Sequence, residues 1–248
     1  MAIHSPVSTG LPASSGMRER LIVALDVGSA SEAQKLVARI GDAAGVYKVG
    51  LQLFIAEGPG IVRDLVSSGR LVFLDLKLHD IPMTVALAVK SAAELGVHML
   101  TVHASGGAAM LRAAAEAAAG RVNILAVTVL TSLNAEDMQE TGVSGRVSDQ
   151  VLRMAALAQS AGCQGIVTSP RESLMVRKSL GEGFAIVTPG VRPAGAASND
   201  QQRIATPGQA ISNGASHIVV GRPITHASDP ALAAAAIISE MEQARNIR

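Results

Sequence analysis

The chain has no tryptophan, one tyrosine, three phenylalanines and one cysteine. With aromatics at 2% and hydrophobic residues at 48%, the interior must be built from Ala, Val, Leu and Ile. That suits a parallel sheet covered by helices. A lone cysteine has no second thiol to pair or chelate with, so a disulfide scaffold is excluded and a reducing cytoplasm is the expected compartment. Cys163, in Ala161-Gly162-Cys163-Gln164, reads as a small buried residue at a strand start and not as a nucleophile. A formal net charge of +1 gives no argument for nucleic acid or an acidic membrane surface as a partner. No apolar run approaches the roughly 18 residues of a membrane span, so a soluble protein is expected. Nor does a Gly-x-Gly-x-x-Gly follow the first apolar stretch, which argues against a dinucleotide-binding fold. Residues 1–16 are rich in Ser, Pro and Gly and lack the basic start and apolar segment of a secretory signal. They are expected to form a disordered extension, with Met17 as an alternative start.

What is present is a rhythm. Apolar strands are predicted at Leu21–Val27, Val46–Gly50, Leu71–Leu78, His98–His103, Val122–Val129, Gly165–Thr168, Phe184–Thr188 and His217–Val220. Helical spacing runs from Ser31, a candidate N-cap, to about Ile40, and again through Ile61, Leu65 and Val66. Further helices are expected over Met83–Leu95, Ala108–Ala119, Val147–Ala161 and Pro230–Ala244, with an insertion over Leu130–Gly145. Eight strands alternating with helices in 248 residues fit a single-domain (β/α)8 TIM barrel, spanning residues 17–248, better than an open sheet.

The third strand organises the rest. Alternation places Asp75 and Lys77 on one face with Phe73 below them, and Leu74, Leu76 and Leu78 on the other. Charges at the end of a buried strand are costly to desolvate unless they pair or do chemistry. The bland reading is an ion pair that closes a barrel end. Against it, polar residues gather at several strand ends: Asp26, Lys48, the group Asp75, Lys77 and Asp80, then Thr128 and Thr131, Pro189 and Arg192, Gly221 and Arg222. Barrel enzymes build their active sites on that rim. Arg192 and Arg222 follow strands seven and eight, where many barrels hold phosphate; a guanidinium chelates such an anion well. The other half of the rim alternates acid and base. It lacks a His, Cys and carboxylate cluster at metal-ligand spacing. His79 reads as structural and His103 as a rim histidine with its partners satisfied.

Asp75-x-Lys77-x-x-Asp80-Ile81-Pro82-x-Thr84 closely resembles the signature of the orotidine 5′-phosphate decarboxylase family. Leu25-Asp26-Val27, Tyr47-Lys48-Val49-Gly50, Leu130-Thr131-Ser132, Thr188-Pro189-Gly190-Val191-Arg192, Asp200-Gln201 and Val220-Gly221-Arg222-Pro223 are similar to its other blocks, in its order. The resemblance runs from about Arg20 to the last helix. It implies cofactor-free conversion of orotidine 5′-monophosphate to UMP and CO2, without metal, by a cytoplasmic homodimer in which Asp80 reaches into the neighbouring subunit's site. It further implies that Lys77 donates the proton to C6, that Asp75 lies against the substrate carboxylate, and that Lys48 holds the array. Asp26 and Lys48 would bind ribose hydroxyls, with Thr84 near the ribose or the dimer partner and Thr131 near the base. Arg192, Gln201, Gly221 and Arg222 would hold phosphate beside Pro189, and Ser169 is a candidate for the pyrimidine amide. Two rivals stand beside this reading. One is a Mg²⁺-dependent sugar-phosphate decarboxylase or aldolase of the same superfamily; the other is a non-catalytic nucleotide-binding barrel.

Overall fold

The computed structural model describes residues 16–193 and 205–246. The expected extension before Gly16, and Gln201 of the expected phosphate set, lie outside the described residues. Eight strands, β1 (Leu21–Ala24), β2 (Val46–Gly50), β3 (Leu71–Leu78), β4 (Met99–His103), β5 (Asn123–Val127), β6 (Gly165–Val167), β7 (Ala185–Thr188) and β8 (His217–Val220), pair in parallel in chain order, and β8 closes onto β1. This is the expected (β/α)8 TIM barrel.

Strand parity splits the interior into two cores. Ile22, Ala24, Val46, Phe73, Met99, Leu125, Val187 and Val219 point inward and fill the barrel. Their neighbours, such as Val23, Tyr47, Leu74, Leu100, Ile124 and Ile218, point outward and pack beneath the helices. The inner core is a solid plug, so a ligand site can form only above or below it. Register then levels the upper rim: Gly50 of β2 lies opposite Asp75 of β3, two residues above the Lys48–Phe73 pair.

Several helices differ from expectation. The helix expected from Ser31 begins at Ala30 with Ser29 as N-cap; the Ser29 backbone is extended and its hydroxyl accepts from the Glu32 N–H. The helix expected through Ile61 is the second of two, Leu51–Glu57 and Gly60–Ser67, because Gly58 at φ +64° ends the first and Pro59 follows. The insertion after β5 contains a short helix, Ala135–Glu140, closed by an Asn134–Asp137 capping box. Helices after β6 (Ser173–Leu180) and β7 (Pro207–Ser212) complete units that sequence periodicity had left blank. Among the described residues no helix is long and apolar enough to cross a membrane.

The lower end of the barrel is tied by arginines. Arg20 donates to the carbonyls of Ser216 (2.6 Å) and Ala215 (2.9 Å), anchoring the Met17–Arg20 helix to the chain entering β8. Buried Arg177 donates to Gly214 O twice, to Gly181 O, to Phe184 O and to the Ser216 hydroxyl, all within 3.1 Å. One guanidinium thus satisfies three carbonyls that no strand pairs. We expect Arg177→Ala to lower stability by about 3 kcal/mol, since it strands buried acceptors. In a chain of this size that is a fall of roughly 6–12 °C in Tm, readable by thermal denaturation.

Candidate active site

Above the plug, at the C-terminal ends of the strands, opens a cavity of about 520 Å³. It is large enough for a nucleotide-sized ligand. Ala24, Phe73, Val127, Val167 and Val219 form its floor. Asp26, Lys48, Asp75 and Lys77 line one wall, and Pro189, Gly190, Arg192, Gly221 and Arg222 line another.

The charged wall is a chain of alternating sign. Lys48 Nζ lies 2.8 Å from Asp26 Oδ1 and 3.8 Å from Asp75 Oδ2, and Lys77 Nζ lies 2.9 Å from Asp75 Oδ1. Lys48 and Asp75 are mostly buried, at 12% and 13% side-chain exposure, whereas Lys77 is more open at 29%. Gly50 makes this approach feasible: a Cβ there would stand 2.8 Å from Lys48 Nζ. The array was expected from simple strand alternation, and here the structure departs from the reading. The β3–β4 register runs Leu74↔Leu100 and then Leu78↔Val102, so β3 spends two more residues than β4 over the same span. Lys77 has φ +51°, a left-handed conformation that costs a non-glycine residue about 1–2 kcal/mol. The pair is therefore brought together by a bulge, and Leu76 and Leu78 still pack against the outer core.

On the opposite wall, Gly190 at φ +77° turns the chain after β7, and Arg192, 8% exposed, comes down beside the cavity. Arg222, at the start of the four-residue helix Arg222–Thr225, is exposed beside it. Thr131 lies on the cavity wall. Asp80 and Thr84 do not: both are exposed outside the cavity, and Asp80 Oδ1 accepts from the next residue's N–H at 2.6 Å. Ser169 is also away from the wall, fully buried, its hydroxyl accepting from the Arg171 N–H. Its neighbour Thr168 lines the cavity instead, with a buried hydroxyl that has no hydrogen-bond partner among the described residues. The His103 and His79 rings lie 5.4 Å apart. Burial, then the nearby charges of His79 and Lys77, hold His103 below the usual imidazole range, which favours its neutral form.

Two residues that sequence reasoning passed over also belong here. Thr101, fully buried in β4, donates to Asp75 Oδ1 at 3.0 Å and accepts from the Lys77 N–H at 2.9 Å. The available signal was parity: Thr101 follows inward-facing Met99 by two residues and is polar where an apolar residue belongs. Gly50 was quoted only as part of a motif, since its role depends on where a lysine tip arrives.

The family model described as orotidine 5′-phosphate decarboxylase / HUMPS family matches residues 19–237. The orotidine 5′-phosphate decarboxylase of Halorhodospira halophila is 54% identical over 228 residues, covering 91% of this chain and 97% of that protein. Its counterpart from Moorella thermoacetica is 50% identical over 237 residues, with 92% and 94% covered. The crystal structure of orotidine 5′-phosphate decarboxylase from Lactobacillus acidophilus superposes with a TM-score of 0.82 at 38% identity, covering 90% of this chain and 99% of that one.

Cys163 takes no part in the cavity. It is buried just before β6, and burial pushes its thiol up to about 12, so the thiolate is scarce near neutrality. Native protein at pH 8 should therefore resist iodoacetamide for hours and react within minutes once unfolded in guanidinium, as read by mass spectrometry.

Proposed function

The chain belongs to the orotidine 5′-phosphate decarboxylase / HUMPS family, and on that premise we propose that it converts orotidine 5′-monophosphate to UMP and CO2 without metal or organic cofactor. The observation that carries the proposal is the division of the cavity. A Lys–Asp–Lys–Asp array lies on one wall and two arginines on the other, so a ligand with an anionic tail and a reacting carboxylate has a place for each end.

Breaking the C6–carboxylate bond leaves an electron pair localised on an sp² carbon, and catalysis requires charge stabilisation that matters only near the transition state. The Lys77 ammonium supplies it and then transfers its proton to C6. Asp75 holds that ammonium and faces the departing carboxylate. Lys48, between Asp26 and Asp75, fixes the array and, with Asp26, binds the ribose hydroxyls. Arg192, Gly221 and Arg222, with Gln201, take the phosphate beside Pro189; Thr131 lies near the base. Binding energy from the phosphate, remote from C6, is then available to orient the reacting end.

The active unit is a homodimer in the reducing cytoplasm. Support comes from apolar surface: Leu51, Ile55, Ile81, Met83 and Leu87 are large side chains from 49% to 78% exposed. They lie on the segments that follow the neighbouring strands β2 and β3, and Asp80 is on the second of these. Such a patch is expected to be covered by a partner, and a second copy in two-fold symmetry would bring its own Asp80 and Thr84.

Loss of orotidine 5′-monophosphate absorbance, followed with EDTA-treated protein, tests the activity; no turnover of that substrate, with Mg²⁺-dependent turnover of a sugar phosphate, would favour the sibling. Lys77→Ala should reduce kcat by about 10³-fold or more while leaving a folded protein that binds UMP; activity within tenfold of wild type would overturn the role of Lys77. Asp80→Ala and Lys77→Ala should each be nearly inactive alone. Mixed with subunit exchange, they should recover about a quarter of wild-type activity, because half of random dimers are mixed and each has one intact site. No recovery despite proven exchange would place Asp80 in its own subunit's site.

A further inference from the structure

The geometry points to Thr101 as a positioning residue that holds Lys77 and Asp75 in their working arrangement. Two observations meet at its hydroxyl. Between Leu74 and Leu78 the β3–β4 ladder is interrupted, so the Lys77 N–H loses the pairing a regular strand would give it. Thr101 Oγ1 accepts that N–H at 2.9 Å, and its own proton goes to Asp75 Oδ1 at 3.0 Å. The same carboxylate oxygen receives the Lys77 ammonium at 2.9 Å. The contacts form a closed ring: Lys77 backbone, Thr101 hydroxyl, Asp75 carboxylate, Lys77 ammonium.

Each link of the ring removes a freedom. A buried N–H without an acceptor is unfavourable, so the hydroxyl selects the backbone conformation in which Lys77 keeps φ +51°. The donated proton fixes the carboxylate rotamer, which sets where the ammonium stands above the floor. Thr101 lies beneath the array, fully buried and absent from the cavity lining, so it acts through Asp75 and Lys77 and not on a ligand. A β-branched residue, whose χ1 is restricted, suits that task.

This inference rests on the decarboxylase reading, and the experiment separates the two. Wild type, Thr101→Val and Thr101→Ser are compared for kcat and KM on orotidine 5′-monophosphate, with UMP titration counting competent sites. Thr101→Val keeps the shape and removes both hydrogen bonds. It should lose about 10- to 100-fold in kcat per competent site, as expected for a misplaced reacting group, while KM and the UMP Kd stay within about threefold. Thr101→Ser, which keeps the hydroxyl, should return to within about threefold of wild type. If Thr101→Val does not fold, Thr101→Ala removes the same hydroxyl without adding volume and carries the same expectation. A hydroxyl-free variant with wild-type kcat overturns the inference, as does a serine variant as impaired as the valine one. An inactive wild type would instead overturn the decarboxylase reading.

Discussion

A carboxylate with 13% of its side chain exposed, placed between two ammonium groups, is stable only while all three groups stay in register. Removing the carboxylate would leave two ammonium groups facing each other in a poorly solvated site. Much of the upper half of the barrel can be read as meeting that constraint. The Gly50–Asp75 register levels two strands, so that charges on both reach the same height. Gly50 leaves the space that the Lys48 tip occupies. The bulge in β3 turns Lys77 back towards Asp75, where an undistorted strand would carry it upward and away. Below, the inner plug from Ile22 to Val219 fills the barrel and denies water access from beneath. Charge pairs above such a floor interact more strongly than they would in bulk water.

The barrel also separates its two kinds of arginine by height. Arg20 and Arg177, at the lower end, spend their donors on backbone carbonyls and serve as ties. Arg192 and Arg222, at the upper end, border the cavity. On the proposed function, the same side chain is structural at the lower end of the strands and ligand-facing at the upper end, where the cavity opens. On the proposed function, that places anchoring on β7 and β8 and chemistry on β2 and β3, across the cavity from each other.

The fold was legible because eight apolar segments recur with helical spacing between them, and parity then separates inward from outward faces. Asp26, Lys48, Asp75, Lys77, Arg192 and Arg222 were legible as charges at strand ends, and the structure gathers all of them around one cavity. What alternation could not supply was the bulge. A two-residue excess in β3 is defined relative to β4, and no reading of β3 alone contains it. Thr101 was missed for a related reason: a threonine in a strand is ordinary, and its value lies in the N–H that the bulge releases. Ser29 was overlooked as N-cap because Ser31 also precedes the apolar spacing, and each serine has a Glu or Gln three residues on, Glu32 and Gln34, so the capping pattern does not choose between them. Ser169 as a candidate for the pyrimidine amide rested on resemblance, and in the structure its neighbour Thr168 borders the cavity.

One short run of chain joins these themes. From Asp75 to Leu87 it passes from the buried array, through the bulge at Lys77, to an exposed turn at Asp80, and then into a helix started by Pro82 whose first turns carry Met83 and Leu87 outward. Ile81 is extended, the conformation favoured before proline, and Asp80 stands exposed outside the cavity. On the proposed function and assembly, Ile81, Met83 and Leu87, which a partner would cover, sit on the same run of chain as Asp75 and Lys77. On the proposed assembly, contact between subunits would press on the segment that ends in Lys77. Dimerisation and the geometry of the Asp75–Lys77 pair would then be two readings of a single piece of backbone, with the Thr101 hydroxyl as the point where that backbone is fastened to the barrel.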